Sequence, residues 1–192
     1  MSQLNVTTLK HESAGVDNLV LDSSGNATFG GVAKVGGLMN PSGSASAIAM
    51  DSAGRVTMPY QPHYVATARA SSFNTNGETN YTTFVHRDTK INTGNHMNTS
   101  TGKFTCPVAG RYLVSFQGLC RGAGSFNIAI VLNGAQYNQL GRAIVASGTE
   151  QNVKTFAIVS CAANDELRID CSTSVSGDIY FEHNSTSIVL IG

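Results

Sequence analysis

Between Arg111 and Gln117 the side chains keep a period of two: Tyr112, Val114 and Phe116 alternate with Arg111, Ser115 and Gln117. That period belongs to a β-strand with one face turned to a core. No stretch of the 192 residues sustains a helical apolar period, so the chain is restricted to an all-β fold. Candidate strands follow at 64–70, 81–85, 103–105, 111–120, 126–132, 136–140, 153–160, 166–171, 179–183 and 187–191. Short strands at such spacing predict an antiparallel sandwich or jelly roll. The composition agrees: 20 glycines, no tryptophan and 12% charged residues, with Ser, Thr and Asn filling the polar positions.

Three of these strands are apolar on both faces. Phe126, Ile128, Ile130 and Leu132 oppose Ala129 and Val131; Phe156 and Ile158 oppose Ala157 and Val159; Ile188 and Leu190 oppose Val189 and Ile191. An antiparallel sandwich ordinarily buries one face and wets the other. The second faces therefore predict a subunit interface carried by Ala129, Val131, Ala157, Val159, Val189 and Ile191. Small apolar residues scattered singly on a surface are the competing reading.

Gly102, Phe104, Pro107, Gly110, Tyr112 and Phe116, with Asn92-Thr93-Gly94 before them and Asn133-Gly134 after, are spaced in a way that resembles the C1q/TNF-like jelly roll. The resemblance covers residues 60 to 192. It implies a jelly-roll head with those residues as its fold signature, assembled as a homotrimer. Two departures stand out. Asn164-Asp165-Glu166-Leu167 replaces the usual Gly-Asp, and Ser187-Ile188-Val189-Leu190-Ile191 replaces the closing Phe-x-Gly-x-Leu.

Residues 1–59 differ in kind. Leu19-Val20-Leu21-Asp22-Ser23-Ser24-Gly25-Asn26-Ala27-Thr28-Phe29 returns in degenerate form as residues 48–58, each copy reading strand, Asp-Ser-x-Gly turn, strand. Two such units cannot bury their apolar sides alone; three chains side by side would cover one another. These repeats, with the opening Leu4-Asn5-Val6-Thr7-Thr8-Leu9, resemble segments of bacteriophage tail fibres. Residues 30–37 and 40–44 read as a connector, since Lys34 is not followed by Ser or Thr as a phosphate-cradling loop requires. Pro59-Tyr60-Gln61-Pro62 is a stiff joint separating a 1–59 virion-attachment region from a 60–192 head.

Chemistry is hard to find. The five histidines share no short spacing with another ligand, and no Gly-x-Ser-x-Gly element is present. The 12 acids supply no recognisable carboxylate pair, so the expectation is no enzyme, no catalytic residue and no cofactor. C1q-like proteins can bind calcium between subunits; Asp165, Glu166 and Asp170 leave that open without predicting it. Cys106, Cys120, Cys161 and Cys171 read as reduced core thiols rather than redox or metal groups. A net charge of zero argues against nucleic acid, and apolar runs such as 188–191 are too short to insert into a membrane. Met1 to Asn5 carries no basic start and apolar run, which predicts assembly in a host cytoplasm.

Polar loops at 74–80, 92–99 and 172–178 are the remaining candidates for binding, with Asn74, Asn76 and Asn95 as hydrogen-bonding groups and Tyr137 or Tyr180 as stacking faces for a glycan. Solvated linkers without a ligand explain them equally well. Together these features predict a homotrimeric virion fibre attached to other virion proteins through residues 1–59, its head facing a host-surface polysaccharide. A capsid decoration or cement protein, and a bacterial C1q/TNF-like binding module, are the alternatives.

Overall fold

The computed structural model describes residues 8–9, 19–21, 23–24, 27–29, 37–39, 46–50, 52–68, 72–174 and 176–192. Internal contacts divide the chain into two units, Met1–Pro59 and Tyr60–Gly192.

In the first unit, β1 (Thr8–Leu9), β2 (Leu19–Leu21) and β3 (Ala27–Phe29) form one antiparallel sheet. A second contains β4 (Gly37–Met39), β5 (Ser46–Met50) and β6 (Val56–Thr57). The two sheets share one register. Thr8↔Val20 and Leu9↔Leu19 return as Gly37↔Ala49 and Leu38↔Ile48, while Leu21↔Ala27 returns as Met50↔Val56. Every number advances by 29 (8 to 37, 20 to 49, 27 to 56). The repeat thus contains a third strand that the sequence alone hid, because Thr8-Leu9 and Gly37-Leu38 share too little side-chain character to align by eye. In the second copy Ile48, Val56 and Met58 are exposed.

The second unit is a two-sheet sandwich built from β7 (His63–Thr67), β8 (Gly77–Thr83), β9 (Asp88–Thr93), β10 (Met97–Asn98), β11 (Lys103–Thr105), β12 (Gly110–Arg121), β13 (Gly124–Leu132), β14 (Ala135–Val145), β15 (Glu150–Cys161), β16 (Glu166–Thr173) and β17 (Asp178–Leu190). One sheet has the order β15-β12-β17-β7-β9. The other runs β10-β11-β16-β13-β14, with β8 also paired to β16. All pairings are antiparallel. The last two strands expected from sequence are one, β17, whose register against β12 shifts between Gly118 and Cys120. No candidate strand covers β9, because Asp88-Thr89-Lys90-Ile91-Asn92-Thr93 is mostly polar; it lies at a sheet edge, where a mostly polar strand is tolerated.

The core forms between the sheets. Tyr112, Val114, Phe116 and Cys120 of β12 meet Phe126, Ile128 and Ile130 of β13, together with Leu167, Ile169, Ile179 and Ile188. Phe104 is fully buried, its ring 5.9 Å from Tyr112 and 6.1 Å from His96. The Tyr112 hydroxyl donates to the Val108 carbonyl at 2.8 Å, so this buried phenol has its partner and ties the 106–109 turn to β12. Phe116 stacks edge-on with Phe84 at 5.1 Å. At Gly110 a Cβ would sit 2.7 Å from Leu190 Cδ1 and 3.0 Å from the Gly192 carbonyl oxygen, so glycine eases the close approach of the start of β12 to the C-terminal residues.

The β13–β14 hairpin turns at Asn133 (φ 50°) and Gly134 (φ 83°), the pair of positive angles a two-residue turn of this hand requires. Asn133 also donates through Nδ2 to Asp165 Oδ1 at 2.8 Å and accepts the Glu166 N–H at 2.9 Å. Asn133→Ala therefore loses two hydrogen bonds and a tolerated left-handed residue, and should cost about 1–2 kcal/mol in a urea unfolding titration. The same amide, aided by the Ala162 N–H, holds the Asp165 carboxyl below the usual aspartate range. A depressed folded-state value stabilises above the unfolded value, about 3.9, and that contribution disappears as pH falls through the folded value. Asp165→Asn should accordingly flatten the acid limb of the stability curve below about pH 4. An unchanged acid limb would show that the contact is energetically silent.

Candidate interaction face

The outward face of the β15-β12-β17-β7-β9 sheet carries Phe156 with Ile158 beside it. Cross-strand pairing aligns Ile158, Leu113, Val189, His63 and Thr93 in one row and Phe156, Ser115, Ser187, Val65 and Ile91 in the next. Phe156 is 74% exposed and Ile158 55%. In these two rows His63 is the sole ionisable side chain. Beside Phe156 an open groove of about 340 Å³ is lined by Ser115, Gln117, Lys154 and Ser185. A lone exposed apolar residue is ordinary, but two large ones beside Leu113, Val189 and Val65 on one charge-poor sheet mark an association surface.

This arrangement corrects the interface expected from sequence. On β15 the faces are inverted: Val159 is fully buried and Ala157 packs against the core, while Phe156 and Ile158 point out. The parity is set along the whole strand: Val153, Thr155, Val159 and Cys161 are all buried on the inward side, which leaves Phe156 and Ile158 on the outer one. Ala129 and Val131 are also unavailable to a second chain, being buried by their own. They share their side of the sheet with Asp170 and Arg168, their cross-strand partners, while the Glu78 carbonyl of β8 accepts from Asn127 Nδ2 and Ser172 Oγ. Only Val189, half-buried, and Ile191, 48% exposed, remain on the outside as expected.

The polar loops do not form one site. Residues 74–77 and 172–178 meet at the Thr173 end of β16: Thr75 N–H donates to Thr173 Oγ1 at 3.0 Å, and Thr173 N–H to Thr75 Oγ1 at 2.9 Å. The 92–99 segment packs at the opposite end, through Met97↔Phe104 and Phe104↔Leu167. Within them the nominated groups are mostly occupied. Asn74 donates to the Gly177 carbonyl and accepts the Asn76 N–H at 2.6 Å. Asn76 and Asn95 adopt positive φ in turns, and Tyr180 is sandwiched between the Arg121 guanidinium (4.4 Å) and the His183 ring (5.2 Å). Tyr137, 47% exposed, keeps an open side chain.

The carboxylates that left calcium open have partners within the chain. Asp165 accepts from Asn133 and Ala162, Glu166 pairs with Lys103 and Arg168, and Asp170 receives Arg168 at 2.9 Å. Among the described residues no group of three or more His, Cys, Asp or Glu converges on a point. A face built this way can bury surface and exclude water.

Two antiparallel sheets packed face to face give the second unit the architecture of a jelly-roll domain. The C1q domain pattern matches residues 65–189, and the chain belongs to the C1q domain family. The globular domain of zebrafish complement 1qA superposes with a TM-score of 0.53 at 15% identity, covering 69% of this chain and 98% of that one. The Eiger TNF of S. frugiperda superposes at 0.50 with 10% identity, covering 69% and 93%. At such identities these two likenesses speak for the fold alone. No curated protein matches the chain by sequence.

Proposed function

We propose that this protein is a non-enzymatic homotrimeric display module in which the outer face of the β12–β15–β17 sheet joins three heads. The observation carrying this reading is Phe156, 74% exposed beside Ile158 in two cross-strand rows whose one ionisable side chain is His63. Burying both side chains would contribute roughly 3–6 kcal/mol per subunit before the cost of association. Members of the family commonly associate as trimers, which supports the stoichiometry.

The finer reading is a virion fibre of a bacteriophage. Residues 1–59 attach it to the particle, and the head, with its loops and the exposed Tyr137, faces a host polysaccharide. The identical register of the two 29-residue units supports a repeating shaft. Native mass measurement of the full chain at micromolar concentration tests the association: a mass of three chains is expected, and a monomer overturns it. Labelled protein on whole particles, imaged by electron microscopy, tests the placement separately.

A further inference from the structure

Two of the four cysteines are not isolated core thiols. Cys106 directly follows β11 in one sheet, and Cys161 closes β15 in the other. The backbone clamps them together: Cys106 N–H donates to the Asp165 carbonyl at 2.8 Å, and Asn164 N–H to the Cys106 carbonyl at 2.7 Å. Ala162, next to Cys161, donates to Asp165 Oδ2 at 2.7 Å. Across this junction the two thiols hydrogen-bond each other. Cys106 is fully enclosed, whereas Cys161 keeps 7% exposure.

We propose that Cys106 and Cys161 are a modification site, a latent disulfide that fastens the two sheets of the head when the protein meets a small hydroperoxide. The Cys161 thiolate attacks one peroxide oxygen; the O–O bond breaks, and the leaving hydroxide takes up a proton to become water. Cys106 sulfur then attacks the resulting sulfenic sulfur, expelling hydroxide that takes the Cys106 proton. Two thiols and one hydrogen peroxide give one disulfide and two waters, the peroxide being reduced and the sulfurs oxidised. The roles follow from the geometry. Cys161 is the accessible sulfur and the acceptor of the shared hydrogen bond, which lowers its pKa, whereas the same contact raises that of Cys106.

Burial pushes both thiols up overall, and the titratable groups facing the pair are Asp165 and Tyr112. Oxidation is therefore slow at neutral pH and faster in alkali, because the thiolate is the reactive form. The bond would close a loop containing β12 to β15 and pin β15, an edge strand carrying Phe156 and Ile158.

Treating the full chain with hydrogen peroxide at mildly alkaline pH, then alkylating free thiols and mapping peptides without reduction, tests this. The expected result is a loss of two hydrogens, a Cys106 peptide joined to a Cys161 peptide, and a Tm raised by about 10 °C. A thiol reductant should reverse all three, and Cys161→Ser should abolish them. Four alkylatable thiols, a bond to another cysteine or chain, sulfinic acid at Cys161, or a joined pair with unmoved Tm would each overturn the proposal. The wild-type peptide map decides even if the variant fails to fold.

Discussion

Phe156→Asp should convert the proposed trimer to folded monomers. The side chain is 74% exposed in the single chain, so its replacement removes little that the isolated fold depends on. In the trimer it would bury a large apolar area three times over. Losing about 2 kcal/mol at each copy weakens association by about 6 kcal/mol, on the order of 10⁴-fold, before any repulsion among three desolvated carboxylates. Light scattering at micromolar concentration should report one chain, with the strand signal in circular dichroism retained. Ile144→Asp is the matched control: Ile144 is 68% exposed, but it lies on β14 in the other sheet and should leave the trimer intact. If both substitutions act alike, or neither acts, the apolar face is not the contact.

Phe104→Ala acts on the opposite quantity. Phe104 is fully buried between Tyr112 and His96 and sits in the register that joins β10, β11 and β16. Truncating a buried phenylalanine costs about 3–5 kcal/mol, from lost transfer energy and an unfilled cavity. Against a typical stability of about 5–15 kcal/mol, that is about a fifth of the total or more. The urea midpoint should fall sharply with the slope unchanged. Phe156→Ala, measured in the monomeric state, should move the same midpoint by less than about 0.5 kcal/mol. Two phenylalanines in one chain thus separate folding from association, and equal effects at both positions would refute the assignment of either.

How much was legible varied with the strand. On β12 one parity carries Tyr112, Val114 and Phe116 and the other Arg111, Ser115 and Gln117, so its inward face followed directly from the alternation. The signature residues Gly102, Phe104, Gly110, Tyr112, Phe116 and Asn133-Gly134 were likewise recognisable. Each answers a local demand: a turn, a close approach or a filled core. On β15 both parities are apolar, and size suggested that Phe156 and Ile158 go in. What reverses this is the burial of Val153, Thr155, Val159 and Cys161 against the opposing sheet, which no local pattern announces. The Cys106–Cys161 contact was equally hidden, since residues 55 positions apart meet only because two sheets end together.

The amino-acid order alone determined that the chain is all strand, where the head begins to resemble its family, and that apolar surface exceeds what one sandwich face can bury. Local conformational preference and a period of two are properties of neighbouring residues, and they survive without a partner. Which apolar face looks outward was decided by the packed sheets. A one-residue change of parity exchanges core for surface, and only the space left by opposing strands selects between them.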